Sequence, residues 1–118
     1  MLTRERRKEL VLEAERVVNR LRTSDVGRTE LSPVTNVLFH SHGTWPERFK
    51  RAHRIAKRLP GSWMSTRGND GPAKARRVSD VMIDLLARFT KEEEMRYLLG
   101  WATRRLFVEE SQARTGGR

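Results

Sequence analysis

Apolar residues recur along most of this chain at intervals of three and four, the period of a helix with one buried face. In residues 3–22, TRERRKELVLEAERVVNRLR, the positions Leu10, Val11, Ala14, Val17, Val18 and Leu21 form one stripe, and Thr3 can cap the start. TSDVGRTE, residues 23–30, has no such pattern and is predicted as a loop. Ser32 and Pro33 punctuate the start of a second helix, which buries Val34, Val37 and Leu38 and ends before Gly43. A Thr44–Glu47 capping box opens a third helix at once, and Pro60–Gly61 closes it. Its apolar positions are Trp45, Phe49, Ala52, Ile55, Ala56 and Leu59.

The irregular stretch GSWMSTRGNDG, residues 61–71, comes next; Trp63 and Met64 in it are expected to plug the core, with stacking or partner contact as the alternative. A fourth helix is predicted from Pro72, burying Val78, Val81, Met82, Leu85, Leu86 and Phe89. Thr90 and Glu93 supply another capping box for a fifth helix, whose core stripe is Met95, Leu98, Leu99, Ala102 and Leu106. That helix carries a second stripe, Tyr97, Trp101 and Val108, roughly opposite the first. Burial on two sides is the favoured reading of it, and a face for a partner or a second copy is the alternative. No strand pattern or internal repeat emerges. The expected fold is all-α: a compact bundle of about five helices in one domain over residues 1–110, with a disordered tail over 111–118.

Charge adds a functional dimension. The net charge is +10, and its distribution is uneven. Residues 1–30 hold eight Lys/Arg against six Asp/Glu, residues 78–118 seven of each, and residues 31–77 ten against two. A positive field concentrated in one segment suits polyanions such as a nucleic-acid backbone. The apolar runs are far shorter than the ~20 residues that cross a bilayer. No apolar segment follows the charged start, so no membrane partner and a cytoplasmic location are expected. Cysteine is absent, which removes disulfides and thiolate metal sites.

The stretch VLFHSHGTW, residues 37–45, raises the question of a metal site. On a helix, His40 and His42 lie two residues apart and point ~160° from each other, too divergent for one ion. No Asp or Glu stands among residues 31–46 to complete a ligand set. A histidine at a helix C-terminus complementing the carbonyl end of the dipole is the simpler expectation. There is also no phosphate-binding glycine loop, since RGNDG lacks the Lys-Ser/Thr that would follow. A non-enzymatic protein without cofactor is expected.

Helix three is where the charge gathers. Lys50, Arg51, Arg54, Lys57 and Arg58 span the arc opposite its apolar face, while Arg48 falls near the apolar arc and must snorkel outward. Five outward cations suit a helix lying along phosphates or in the major groove. With the preceding helix and a one-glycine turn, residues 33–59 have the outline of a helix-turn-helix. The core pattern of that motif is half met: Phe39 stands where a small residue is usual, and His42 and Thr44 where apolar ones are. A simple helical hairpin is therefore the alternative. Helix three has no Gln or Asn to read adenine, so backbone-dominated, salt-sensitive binding is expected. Arg67, Lys74, Arg76 and Arg77 would extend the patch if the loop brings helix four's start near helix three.

Three phrases in order, LEAERVVNRL, WPERFKRAH and RVSDVMIDLLARFTKEEEMRYLLGWA, resemble a family of small helical proteins encoded by phages and phage-like elements of alphaproteobacteria. The overlap covers roughly residues 12–102 and rests mostly on helix-packing positions. The resemblance implies a phage-type regulatory role and no active site. Members of that family continue into a basic C-terminal helix-turn-helix, to which RRLFVEESQARTGGR has no likeness. That difference moves the expected binding surface to helix three and residues 67–77. The expected function is DNA binding, ahead of RNA, in transcription regulation of a phage or mobile element. A different class is an adaptor or inhibitor that docks the same basic face on an acidic host protein, such as a polymerase or nuclease. A homodimer through Tyr97 and Trp101, which would pair two basic helices, stays open.

Overall fold

Capping chemistry sets most of the helix boundaries. The computed structural model describes residues 1–62 and 70–116, with side chains through Gln112. It contains α1 (Arg4–Arg22), α2 (Arg28–His40), α3 (Trp45–Arg58), a 3₁₀ turn over Leu59–Gly61, α4 (Gly71–Arg88) and α5 (Glu92–Gly116). Among the described residues there is no strand, and the fold is an all-α bundle of five helices. Thr3 caps α1 by accepting from the Arg6 backbone N–H at 3.1 Å. Thr44 caps α3, with Glu47 returning to the Thr44 N–H to complete the box. Gly43 before it takes φ +108°, a conformation nearly confined to glycine.

Three expectations about boundaries are corrected. First, α2 begins at Arg28 instead of Pro33, so Pro33 sits inside the helix. A proline there has no N–H to give the carbonyl of Thr29, and the Ser32 hydroxyl takes that carbonyl at 2.7 Å. The early start is held by two carboxylates on the exposed N–H groups: Gly27 N–H donates to Glu30 at 3.2 Å and Arg28 N–H to Glu110 at 3.1 Å. Glu110 comes from the far end of the chain, so local pattern could not reveal it. Second, α5 begins at Glu92, and Thr90 instead lends its carbonyl to the Trp45 indole N–H at 2.8 Å. Third, α5 continues to Gly116, so residues 111–116 are helical where a disordered tail was expected.

The packing order follows from the long-range pairs. Arg6 meets Glu94, Glu15 meets Arg105 and Arg22 meets Glu109, so α1 and α5 run parallel and in register. Glu13 meets Arg88 and Arg20 meets Asp84, so α4 runs antiparallel to α1. Leu10, Leu21, Leu31, Leu38, Met82, Leu85, Met95, Leu98 and Leu106 are fully buried between the helices and form one cluster. Each such side chain contributes about 1.5–3 kcal/mol on leaving water. Together they fix which face of each helix points inward, and so which points out.

The second stripe of α5 is not buried on two sides. Tyr97 is half-buried against the core, but Trp101 and Val108 are 37% and 39% exposed. The Glu15 side chain of α1 reaches the Trp101 indole at 3.4 Å, and the rest of the stripe is left partly open. Trp63 and Met64, expected as a plug, lie outside the described residues.

Candidate nucleic-acid interface

The inner face of α3 is anchored at its start. Trp45 stacks on Phe39 with ring centres 6.3 Å apart and meets Phe49 edge-on at 5.7 Å. Ala52 and Ala56 are buried below them, small enough for close approach to the neighbouring helices. With that side fixed, the outer arc is fixed too. Lys50, Arg54, Lys57 and Arg58 are exposed, and among the described residues none of them has a carboxylate partner. On a 3.6-residue repeat they share an arc of ~100° and run ~12 Å along the axis. Glu47, the one acid on α3, is engaged in its own cap at the helix start.

Two arginines expected on this surface serve the fold. Arg48 is half-buried: it donates to the Leu38 carbonyl at 2.6 Å and the Gly43 carbonyl at 3.2 Å, and pairs with Glu92 at 3.1 Å. It thereby closes the carbonyl end of α2, the task expected of the histidines, and leaves the phosphate-facing arc. Arg96 and then Arg48 hold the Glu92 carboxyl below the usual carboxylate range by hydrogen bonding to it. Arg51 is also half-buried, donating to Ser41 Oγ at 2.8 Å and the His42 carbonyl at 3.0 Å. His40 and His42 are exposed, and His53 is half-buried. Among the described residues no three His, Cys, Asp or Glu side chains are placed to share a metal ion.

The expected extension over residues 67–77 divides. Arg67 lies outside the described residues. Lys74 is drawn to Glu30 on α2 at 3.8 Å, and Arg77 donates to Ser24 Oγ at 3.1 Å. Arg76 is exposed and lines a cleft of about 450 Å³ with Ser24, Pro72, Ala73, Arg77 and Asp80. That cleft joins the start of α4 to the end of α1, with no α3 residue in its lining. Arg76 and Arg77 therefore belong to a separate basic spot.

Elsewhere the cations are largely spent on carboxylates. Arg6, Arg16, Arg20, Arg22, Arg28, Arg88, Arg96 and Arg105 each pair with Glu or Asp within 4 Å. A groove of about 730 Å³ between α2 and α5 is lined by Arg28 and Arg96, already bound to Glu110 and Glu92, and by Arg104, which has no carboxylate partner among the described residues. Besides Lys91 and Arg104, each on its own, the exposed exceptions that sequence reasoning missed are Arg4, Arg7 and Lys8 on α1, all without a carboxylate among the described residues. Their i, i+3, i+4 spacing, continuing into Val11, was the available signal.

No helix among the described residues is long and apolar enough to cross a membrane. Comparison of the chain with family models, with curated proteins and with solved structures finds no match to any of them.

Proposed function

We propose that this chain is a non-enzymatic nucleic-acid-binding protein, DNA ahead of RNA, which acts in gene control of a phage or mobile element. The outer face of α3 is the contact surface, with Arg54, Lys57 and Arg58 on phosphates and Lys50 beside them. Arg76 contributes a second contact where the polyanion reaches the α1–α4 cleft. The observation that carries this reading is the un-neutralised arc of α3 in a molecule that, among the described residues, pairs most of its other arginines. Free cations on a rigid helix can neutralise phosphates and release the counterions condensed on the nucleic acid, a gain that paired cations do not offer. The α2–turn–α3 pair supplies a helix-turn-helix-like mount, and the family resemblance points the same way.

Mobility shift with duplex DNA, single-stranded DNA and RNA tests the reading. Binding at low salt is expected, with log affinity falling linearly with log salt at a slope of about −0.9 per phosphate contacted on duplex. Three to four contacts imply a slope of about −3 to −4. Reversing Arg54, Lys57 and Arg58 to Glu should abolish the shift and leave helical circular dichroism unchanged. Absence of binding to all three polymers would sink the proposal and leave an acidic protein as the partner of this face.

A further inference from the structure

On the other flank of α1 lies a surface that differs from α3 in being apolar at its centre. Arg4, Arg7, Lys8, Val11, Leu12 and Tyr97 line a cleft of about 540 Å³ between α1 and the start of α5. Leu12 is 60% exposed, unusual for a leucine within a helix that buries its neighbours Leu10 and Ala14. The stripe continues along α5 through Trp101 and Val108, both exposed. The Trp101 indole N–H lies 3.4 Å from a Glu15 carboxylate oxygen, which orients the ring while leaving it uncovered.

We propose that this cleft is a docking site for an acidic amphipathic helix of a partner protein, independent of the α3 surface. Leu12, Tyr97 and Trp101 receive the apolar side chains, and Arg4, Arg7 and Lys8 pair with flanking carboxylates. The charge decides the occupant. All three cations lack a carboxylate among the described residues, whereas Arg6 in their midst is bound to both Glu94 and Glu9. A second copy of this chain brings the same three cations. On that face it offers Glu5 as a free carboxylate, since Glu9 is held by Arg6 and Glu15 by Trp101 and Arg105. Self-association there would oppose like charges, while an acidic helix would neutralise them. The stripe from Tyr97 to Val108 spans ~16 Å, the length of about three helical turns in a partner.

A displayed library of randomised 12-residue peptides, selected against the whole protein, tests the proposal. The expected enrichment is Leu, Ile or Phe at spacings of three and four with Asp or Glu between them. Fluorescence anisotropy of an enriched peptide should show binding weakened at least tenfold by Leu12→Ser and by an Arg4, Arg7, Lys8→Gln triple variant. The same binding should persist when Arg54, Lys57 and Arg58 are reversed to Glu, which separates this surface from the nucleic-acid reading. Circular dichroism of the Gln variant confirms that the fold is kept. The proposal is overturned if no sequence is enriched, if enriched peptides lack acidic residues, or if Leu12→Ser binds normally. Sedimentation showing a dimer that Leu12→Ser dissociates would also overturn it, with a second copy as the occupant.

Discussion

Arg48 and Arg54 stand six residues apart on one helix, and their surroundings assign them different work. Arg48 reaches two main-chain carbonyls and Glu92, and its guanidinium lies 5.5 Å from the Trp45 ring centre. Arg54 is exposed with no ion pair among the described residues. Arg48→Ala should therefore lower the unfolding free energy by about 2 kcal/mol, since charged hydrogen bonds to half-buried carbonyls are lost. Arg54→Ala should change it by less than about 0.5 kcal/mol while weakening polyanion binding. Urea unfolding of both variants reads the contrast; equal stability would show that Arg48 does not hold the α2–α3 turn. At the same scale, Glu94 accepts a two-pronged hydrogen bond from Arg6 at 2.7 and 2.9 Å. This bond with Arg6 holds the Glu94 carboxyl below its usual range. A folded-state value below the unfolded one gives stability that is fully present above the ordinary carboxylate pKa and is lost progressively as pH falls from there through the lowered folded-state value. The urea midpoint should thus hold steady from pH 7 to about 5 and fall below about 4.5. In Glu94→Gln the fall should be shallower, and a parallel decline in both proteins would show that this pair does not contribute to acid sensitivity.

At the scale of elements, the turn between α2 and α3 concentrates the constraints. Gly43 holds φ +108°, Thr44 and Glu47 cap the start of α3, and Arg48 closes the end of α2. Gly43→Ala should cost about 1–2 kcal/mol, because an L residue is strained at that φ, with Glu47 3.1 Å from the new Cβ. Thermal unfolding measures it; an unchanged midpoint would mean that the turn relaxes freely. The start of α3 was legible in the sequence because capping is chemistry between residues three apart. The start of α2 was not, because Glu110, 82 positions away, helps to hold the Arg28 N–H there. Pro33 misled for the same reason: it is common at a first turn, yet Ser32 satisfies the carbonyl it strands inside the helix. Thr90 fits the capping pattern and is diverted by Trp45, which arrives from another helix.

For the whole molecule, the distribution of pairing matters more than the total charge of +10. Carboxylates of α1, α2, α4 and α5 bind cations of all five helices; among the described residues the two largest groups of cations left without a carboxylate are the outer arc of α3 and the Arg4–Lys8 stretch of α1, beside the separate Arg76 spot. One surface is cationic along its length, and the other frames an apolar cleft. The two predicted ligands differ accordingly, a polyanion and an acidic amphipathic helix, with different salt responses. The sequence by itself determined the helical class, the inward face of each helix and the outward arc of α3, because these depend on periodicity and caps within a few residues. Only the tertiary structure decided which cations stay free. Pairing depends on which carboxylates the packing brings within 4 Å, and those partners lie up to 92 positions apart. It likewise decided that Trp101 and Val108 face outward, since a helix with two apolar stripes is covered on both sides only when neighbours exist to cover them.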